Sequence, residues 1–154
     1  MPQLLRTLLL TFPMTVTGLP AAFANDSAGN GNAIKGKIAS PETIDGVVNV
    51  DADGLIEKLM EIEALVLIDS RIRADRKEGY IEGSVSLPDI ETTCETLETI
   101  IKDGSTAALF YCNGVKCGRS ARAAQIALDC GYTEIYWYRN GMEEWQEKHY
   151  PLVQ

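Results

Sequence analysis

Histidine is almost absent from this sequence, and its scarcity argues against several kinds of chemistry. Among 154 residues only His149 is a histidine, and it lies near the carboxyl terminus. Serine or cysteine mechanisms that use a histidine base would all depend on this one remote residue. A structural zinc site normally needs paired, closely spaced cysteines with further cysteine or histidine ligands nearby. The sequence therefore predicts neither a histidine-assisted nucleophile nor a metal site, and no cofactor.

Positive charge is also scarce. The chain has 14 lysines and arginines against 22 aspartates and glutamates, so its formal net charge is −8 at pH 7. Such a surface repels nucleic acid and anionic membranes. A small anionic substrate remains compatible with it, because one local positive pocket can outweigh a distant diffuse charge. The composition therefore predicts no nucleic-acid partner and leaves a small anion open.

Outside the first 24 residues the sequence has no long apolar run. In those residues Arg6 is the only charge, and Ala22-Phe23-Ala24 has the small-x-small pattern of a cleavage site. The alternative is a retained membrane anchor, but two prolines and a glycine interrupt a stretch that is already short for a span. We expect residues 1–24 to be a cleaved secretory signal peptide, with no stable membrane insertion afterwards. The protein would be exported: periplasmic in a Gram-negative bacterium and secreted otherwise.

The rest of the chain predicts a linker and one domain. Residues 25–43 are rich in Gly, Asn and Ser and are typical of a flexible linker. Residues 44–154 alternate between apolar runs of strand length and amphipathic helical patterns. The expected strands include 47–50, 64–68, 107–111 and 135–138, and helical patterns cover 51–62, 90–101, 119–130 and 142–148. This alternation predicts an α/β fold, a three-layer domain with a parallel sheet flanked by helices.

The four cysteines separate into two kinds by position. Cys94 and Cys130 each fall on the apolar stripe of a predicted helix, where a free cysteine behaves as a small buried hydrophobe. Disulfides are the alternative in an exported chain, although a domain of this size does not need them to hold its core. Cys112 and Cys117 lie instead at the end of the strand 107–111 and in the loop after it. In open α/β sheets this edge is where ligands bind.

The loop with the sequence CNGVKCGRS, residues 112–120, has the features that activate a thiol without a histidine. Its glycines permit turns that direct backbone N–H groups inward, and Arg119-Ser120 opens the predicted helix whose positive end faces the loop. Lys116 and Arg119 add positive charge, which lowers the pKa of a thiol and binds an anion. The pattern predicts a cysteine nucleophile in an anion pocket. A Cys112–Cys117 disulfide in the resting protein is the alternative.

Four separated segments resemble the rhodanese (sulfurtransferase) family, over about residues 44–152. LVLIDSR at 65–71 resembles the family's strand that ends in Asp-x-Arg, and GYIEGSVSLP at 79–88 resembles its next segment, with Tyr80 in place of a histidine. LFYCNG followed by RSARAA resembles the family's active-site loop and helix. The segment 131–152, GYTEIYWYRNGMEEWQEKHYPL, resembles its carboxyl-terminal signature.

The resemblance implies a rhodanese-like domain with a sulfurtransferase activity. Cys112 would accept a sulfane sulfur as a persulfide from a small anionic donor, of the thiosulfate or polysulfide type, and pass it to a thiol, to cyanide or to a protein acceptor. Asp69 and Arg71 resemble the family's supporting pair, and a structural salt link at the strand end is the alternative for them. The residues expected to bind the donor are Asn113, Gly114, Val115, Lys116, Cys117, Gly118 and Arg119.

The loop departs from the family in length, because the segment from Cys112 to Arg119 is longer than in the sulfurtransferases or in the related phosphatases. Cys117 is the added group. It could attack a persulfide on Cys112 and leave a disulfide, or protect Cys112 from over-oxidation. Two other functions stay open: a thiol–disulfide redox or binding module that uses both cysteines, and a cysteine-based phosphatase or arsenate-type reductase on the same fold.

Overall fold

A computed structural model describes residues 39–154, so the predicted signal peptide and residues 25–38 of the predicted linker lie outside the described residues. The described chain contains one five-stranded sheet in which all paired strands are parallel, in the order β1-β5-β4-β2-β3. The strands are β1 (Val48–Val50), β2 (Val66–Asp69), β3 (Val85–Ser86), β4 (Ala108–Tyr111) and β5 (Ile135–Tyr138).

Helices cover both faces of this sheet. The helices are α1 (Ala52–Glu61), α2 (Arg73–Arg76), α3 (Cys94–Glu98), α4 (Arg119–Asp129) and α5 (Gly141–Glu147). Residues of α3 and α4 join one hydrophobic core, and residues of α1 and α5 join a second one on the opposite face. The predicted α/β fold, a three-layer domain with a parallel sheet flanked by helices, is confirmed.

The strand β4 shows why apolar runs predict the sheet so well. All four of its side chains are buried, because the strand lies between β2 and β5 and is covered on both faces. Ala108 and Phe110 point into the α3/α4 core, and Leu109 and Tyr111 point into the α1/α5 core. A strand buried on two faces needs apolar side chains at every position, and the sequence supplies them.

The start of α1 is determined locally. Asp51 is its N-cap, and the Asp51 carboxylate accepts a hydrogen bond of 2.8 Å from the backbone N–H of Gly54. This satisfies one of the N–H groups that the first helical turn leaves without a partner. The helix begins where the sequence pattern predicts it.

The helix predicted over 90–101 is wrong in its length. The observed helix α3 contains only five residues, begins at Cys94 and is capped by Thr93. Ile90, expected on the buried stripe, is 72 % exposed, whereas Leu97 and Ile101 are buried in the core. The apolar spacing therefore arises from a loop and a short helix rather than from one continuous helix. The short helix α2 was not predicted, because that stretch carries turn residues and charges.

The prediction for Cys94 and Cys130 is also wrong. The two residues are not buried free thiols but form a disulfide that links the start of α3 to the residue after α4. Cys94 is exposed and Cys130 is half-buried. The apolar stripe reaches the core only from Leu97 onward, whereas Cys94, the first residue of α3, stays outside it.

The parallel sheet brings several chain segments together at one edge. The ends of β1, β2, β4 and β5 all lie at the carboxyl edge, so Asp51, Ser70, Cys112 and Arg139 follow directly after their strands there. Within residues 39–154 no helix is both long enough and apolar enough to cross a membrane. The carboxyl edge is therefore where the loop 112–118 and its neighbours are assembled.

Candidate active site

The first turn of α5 fixes the loop 112–118 by two backbone hydrogen bonds. The backbone N–H of Met142 donates to the carbonyl oxygen of Cys112 at 3.0 Å, and the N–H of Glu143 donates to that of Asn113 at 2.8 Å. Gly141 makes this approach feasible, because a Cβ atom there would overlap the Cys112 carbonyl. Its φ of +56° is also one that other residues rarely adopt. Two otherwise unpaired N–H groups of α5 thereby fix the first residues of the loop.

The side chain of Cys112 is buried beneath the loop. Its exposed fraction is 0 %, and its thiol lies 3.0 Å from the carbonyl oxygen of Cys117, to which it donates. The hydroxyl of Ser120 donates to Cys112 Sγ at 3.1 Å, and the indole N–H of Trp137 in turn donates to Ser120 Oγ at 2.9 Å. A chain of hydrogen bonds therefore ties the sulfur to the first turn of α4 and to β5.

Cys117 lies above Cys112, on the pocket side of the loop. A turn closed by a hydrogen bond of 2.8 Å from Cys117 N–H to the carbonyl of Gly114 positions it, and its side chain is half-buried. Both cysteines are free thiols in this structure. The alternative of a resting Cys112–Cys117 disulfide is therefore not what the structure contains.

The two thiols have opposite electrostatic surroundings. Burial, and then the hydrogen bond and charge of Cys117, raise the pKa of Cys112 well above its ordinary value. Hydrogen bonding from Cys112, followed by the backbone N–H groups of Arg119 and Asn113 and the charge of Arg119, lowers the pKa of Cys117 to about 6, although its burial acts in the other direction. The surroundings therefore favour the charged form of Cys117 over that of Cys112.

A pocket of about 520 Å³ opens above Cys117. Three cationic side chains line it, from Lys116, Arg119 and Arg122, and three carboxylates line it as well, from Asp75, Asp89 and Glu143. The arginines are already engaged: Arg119 lies 3.3 Å from Asp75, and Arg122 lies 3.5 Å from Asp89. An anion that binds here competes with these carboxylates for the guanidinium groups.

The predicted donor-binding residues are not equivalent in the structure. Asn113, Lys116, Cys117, Gly118 and Arg119 line the pocket, whereas Gly114 and Val115 do not. Cys112, the predicted nucleophile, does not line it either. Val115 is an exposed apolar side chain. Gly114 packs against the side chain of Glu143 so closely that a Cβ atom would overlap it. The loop therefore presents only part of the predicted set to a ligand.

Asp69 and Arg71 form a buried ion pair beside the site rather than in the pocket. Arg71 donates to both carboxylate oxygens of Asp69, at 2.9 and 2.7 Å, and Arg76 donates to the same carboxylate at 3.0 Å. Burial alone would raise the pKa of Asp69, and the hydrogen bonds and charge of Arg71 hold it below its ordinary value instead. The guanidinium of Arg76 stacks on the ring of Tyr80 at 3.6 Å. The pair fixes α2, which carries Asp75 to the pocket.

The acidic side of the site is not predicted by the sequence. Asp75, Asp89 and Glu143 come from three separate segments, and nothing in their local sequence marks them as neighbours of the loop. Ser120 was noted only as part of a helix start, although its contact with Cys112 makes it part of the site. Among residues 39–154 no cluster of three or more His, Cys, Asp or Glu side chains is placed to hold a metal ion.

Comparisons with known proteins place the fold in a family. The family model of the Rhodanese-like domain matches residues 51–148. A protein named sulfurtransferase from Allochromatium vinosum is 26% identical over 107 residues, which cover 70% of this chain and 95% of that protein. YibN of Escherichia coli strain K12 is 26% identical over 107 residues, which cover 69% of this chain and 73% of that protein. The crystal structure of the BH2092 protein from Bacillus halodurans superposes with a TM-score of 0.62 at 20% sequence identity. The match covers 69% of this chain and 76% of that chain.

Proposed function

This chain belongs to the rhodanese-like domain family, and from that membership we propose that it is a sulfurtransferase that carries sulfane sulfur as a persulfide on Cys112. The observation that carries the proposal is the arrangement of the loop 112–118. It puts two free thiols at the end of a buried strand, next to a pocket lined by three cationic side chains. A thiolate, hydrogen-bond donors and cations are what attack on an anionic sulfur donor requires.

The donor in this proposal is a small anion of the thiosulfate or polysulfide type. Arg119, Lys116 and Arg122 bind its oxyanion end, and the sulfane sulfur is directed toward the loop thiols. The acceptor is a thiol, cyanide or a cysteine of a partner protein. The distant resemblance to a protein named sulfurtransferase supports the reaction class.

We also propose that the protein acts outside the reducing cytosol. The Cys94–Cys130 disulfide supports this location, because structural disulfides persist mainly in exported proteins. The predicted cleavage after residue 24 agrees with it. The localisation is then periplasmic in a Gram-negative source and extracellular otherwise.

The test of the proposed activity is a sulfur-loading experiment on the reduced loop. Wild-type protein is incubated with thiosulfate or polysulfide, freed of excess donor and weighed by intact mass spectrometry, and the added sulfur is located by alkylation and peptide mapping. We expect the mass of one sulfur atom on Cys112, and its transfer to cyanide or dithiothreitol. Wild-type protein that gains no sulfur from either donor would refute the activity.

A second candidate follows from the contact between the two free thiols, a thiol–disulfide redox function. It predicts that the protein exchanges disulfides with a dithiol reductant and gains no sulfur mass. The same mass measurement, made after reaction with oxidised glutathione, separates the two functions. A Cys112–Cys117 disulfide without any persulfide would favour the redox function.

A further inference from the structure

The thiol that carries the family's sulfur is not the thiol that faces the pocket. Cys112 is 0 % exposed and does not line the pocket, whereas Cys117 is half-buried and does. A donor bound between Arg119 and Lys116 therefore meets Cys117 before it meets Cys112. A direct attack by Cys112 would require the loop to move first.

The groups around Cys117 are those that favour an attacking thiolate. Cys117 lines the same pocket as the cations of Lys116 and Arg119. Hydrogen bonding with Cys112, the backbone N–H groups of Arg119 and Asn113 and the charge of Arg119 lower the pKa of Cys117. Within residues 39–154 the hydrogen-bond partners of the Cys112 thiol are Ser120 and the carbonyl of Cys117. The cations of the loop therefore lie on the side of the outer sulfur, in the pocket that Cys117 lines.

The two cysteines are in direct contact. The Cys112 thiol donates to the backbone carbonyl oxygen of Cys117 at 3.0 Å, so the inner sulfur lies against the residue that carries the outer one. Behind Cys112, Ser120 and Trp137 hold the inner sulfur in place. The inner position is shielded from water and from dissolved thiols, and the outer one is open to the pocket.

We propose that Cys117 is a second catalytic residue, which takes the sulfane sulfur from the donor in the pocket and relays it to Cys112, where it is held out of solvent. This relay rests on the proposed sulfurtransferase function. The observation that supports it is the order of the groups from the outside inward: the pocket comes first, Cys117 lies next to the pocket, and Cys112 lies behind Cys117. Transfer to an acceptor runs the relay in reverse.

Each step balances in atoms and electrons. The Cys117 thiolate attacks the outer sulfur of thiosulfate, the donor S–S bond breaks and its electron pair leaves with sulfite, so that Cys117 carries a deprotonated persulfide. The Cys112 proton moves to the outer sulfur of that persulfide, and the Cys112 thiolate then attacks this sulfur. The S–S bond to Cys117 breaks and its electron pair returns to Cys117 as the thiolate, so that Cys112 holds the sulfur as a protonated persulfide. No oxidant or reductant is consumed.

The test is single-turnover loading with thiosulfate, with sulfite release followed by rapid quenching and the sulfur located by mapping. Cys117→Ser should slow sulfite release by about 100-fold, the cost of a reacting atom that is out of place. Cys112→Ser should keep a burst of one sulfite per protein, with the sulfur on Cys117. Its persulfide should also be lost faster to glutathione than that of wild type. Cys94→Ser/Cys130→Ser is the matched control, because it removes two sulfurs away from the loop and should load like wild type.

Three outcomes overturn the relay while the sulfurtransferase function stands. They are wild-type loading rates in Cys117→Ser, no burst in Cys112→Ser, and sulfide release with a Cys112–Cys117 disulfide in the wild type. Failure of the wild type both to release sulfite from thiosulfate and to gain sulfur from polysulfide refutes the function itself. A second measurement avoids any folding defect of the variants: brief treatment of wild type with iodoacetamide should label Cys117 before Cys112 and abolish the burst. Labelling of Cys112 first would refute the relay.

Discussion

The two ends of helix α4 treat sulfur in opposite ways. At its last turn Cys130 is bonded to Cys94, and at its first turn Ser120 contacts Cys112, which stays a free thiol beside the equally free Cys117. The helix has 11 residues, so about 16 Å separates the two environments. At the amino-terminal end of α4, backbone amides, a hydroxyl and cations stabilise the cysteines in their free thiol and thiolate forms. The difference teaches that the surroundings of a cysteine, and not its spacing in sequence, determine its role.

The largest effect should come from removing the reactive pair. Cys112→Ser/Cys117→Ser should abolish sulfur loading, because the loop then holds no thiolate to attack the donor. Sulfite release from thiosulfate is the measurement. The unfolding midpoint in urea should stay close to that of wild type, since serine keeps a donor at both positions. Residual sulfur loading in this variant would contradict the assignment of Cys112 and Cys117 as the reactive pair.

The bonded pair should show the reverse behaviour. Cys94→Ser/Cys130→Ser opens a disulfide that spans 36 residues, and it should lower the free energy of unfolding by about 4 kcal/mol. Urea denaturation monitored by circular dichroism measures this loss. Wild type kept in a dithiol reductant should unfold like the variant. Equal stability of reduced and oxidised wild type would contradict the structural role of this bond.

An ion pair, rather than a covalent bond, stabilises the carboxyl edge of the sheet at the end of β2. Asp69→Asn removes the charge that compensates the buried Arg71, and the free energy of unfolding should fall by about 3 kcal/mol. The pKa of Asp69 is lowered in the folded protein, so its contribution is present above the ordinary value of 3.8 and disappears as the pH falls through the folded pKa. Wild type should therefore lose stability on acidification more steeply than Asp69→Asn. Parallel pH profiles of unfolding would contradict this assignment.

A smaller effect should follow at the first turn of α4. Ser120→Ala removes the hydroxyl that donates to Cys112 and leaves the indole N–H of Trp137 without an acceptor, which should cost about 1–2 kcal/mol of unfolding free energy. Ser120→Ala/Trp137→Phe removes the unpaired donor as well. Its added cost should reflect only the smaller ring, without the penalty of a buried, unpaired N–H. A double variant that shows no coupling between the two changes would contradict the hydrogen-bond chain.

The smallest effect is a shift in pH dependence. Alkylation of Cys117 by iodoacetamide should rise through a midpoint near pH 6, because the thiolate is the reacting form and its pKa is about 6. In Cys94→Ser the released Cys130 thiol lies far from the cations of the loop and should be alkylated more slowly than Cys117 at the same mildly acidic pH. The rates are measured by mass spectrometry of the labelled peptides. Equal alkylation rates at the two residues would contradict the electrostatic contrast.

The sequence predicted what depends on local pattern. The buried run at 107–111 gave β4, Asp51 gave the start of α1, and the position of Cys112 after β4 gave the location of the loop. These features follow from apolar periodicity and capping, which short segments contain in full.

What the sequence could not predict depends on long-range packing. The Cys94–Cys130 bond joins residues 36 positions apart, and the helical pattern around Cys94 concealed where α3 begins. Asp75 and Asp89 reach Arg119 and Arg122 only once β2 and β4 are paired. Which of the two thiols lies next to the pocket depends on the conformation of the loop, and the loop sequence does not predict that conformation.

The bond between the Trp137 indole and Ser120 has a practical consequence. The chain has two tryptophans, and Trp145 belongs to the core on the opposite face of the sheet. Trp137 is fully buried and lies one hydrogen bond away from the hydroxyl that contacts Cys112. The addition of a polarisable sulfur atom to Cys112 should therefore quench the ultraviolet fluorescence of Trp137. The molecule contains its own fluorescent reporter, and each turnover can be followed by light without any added label.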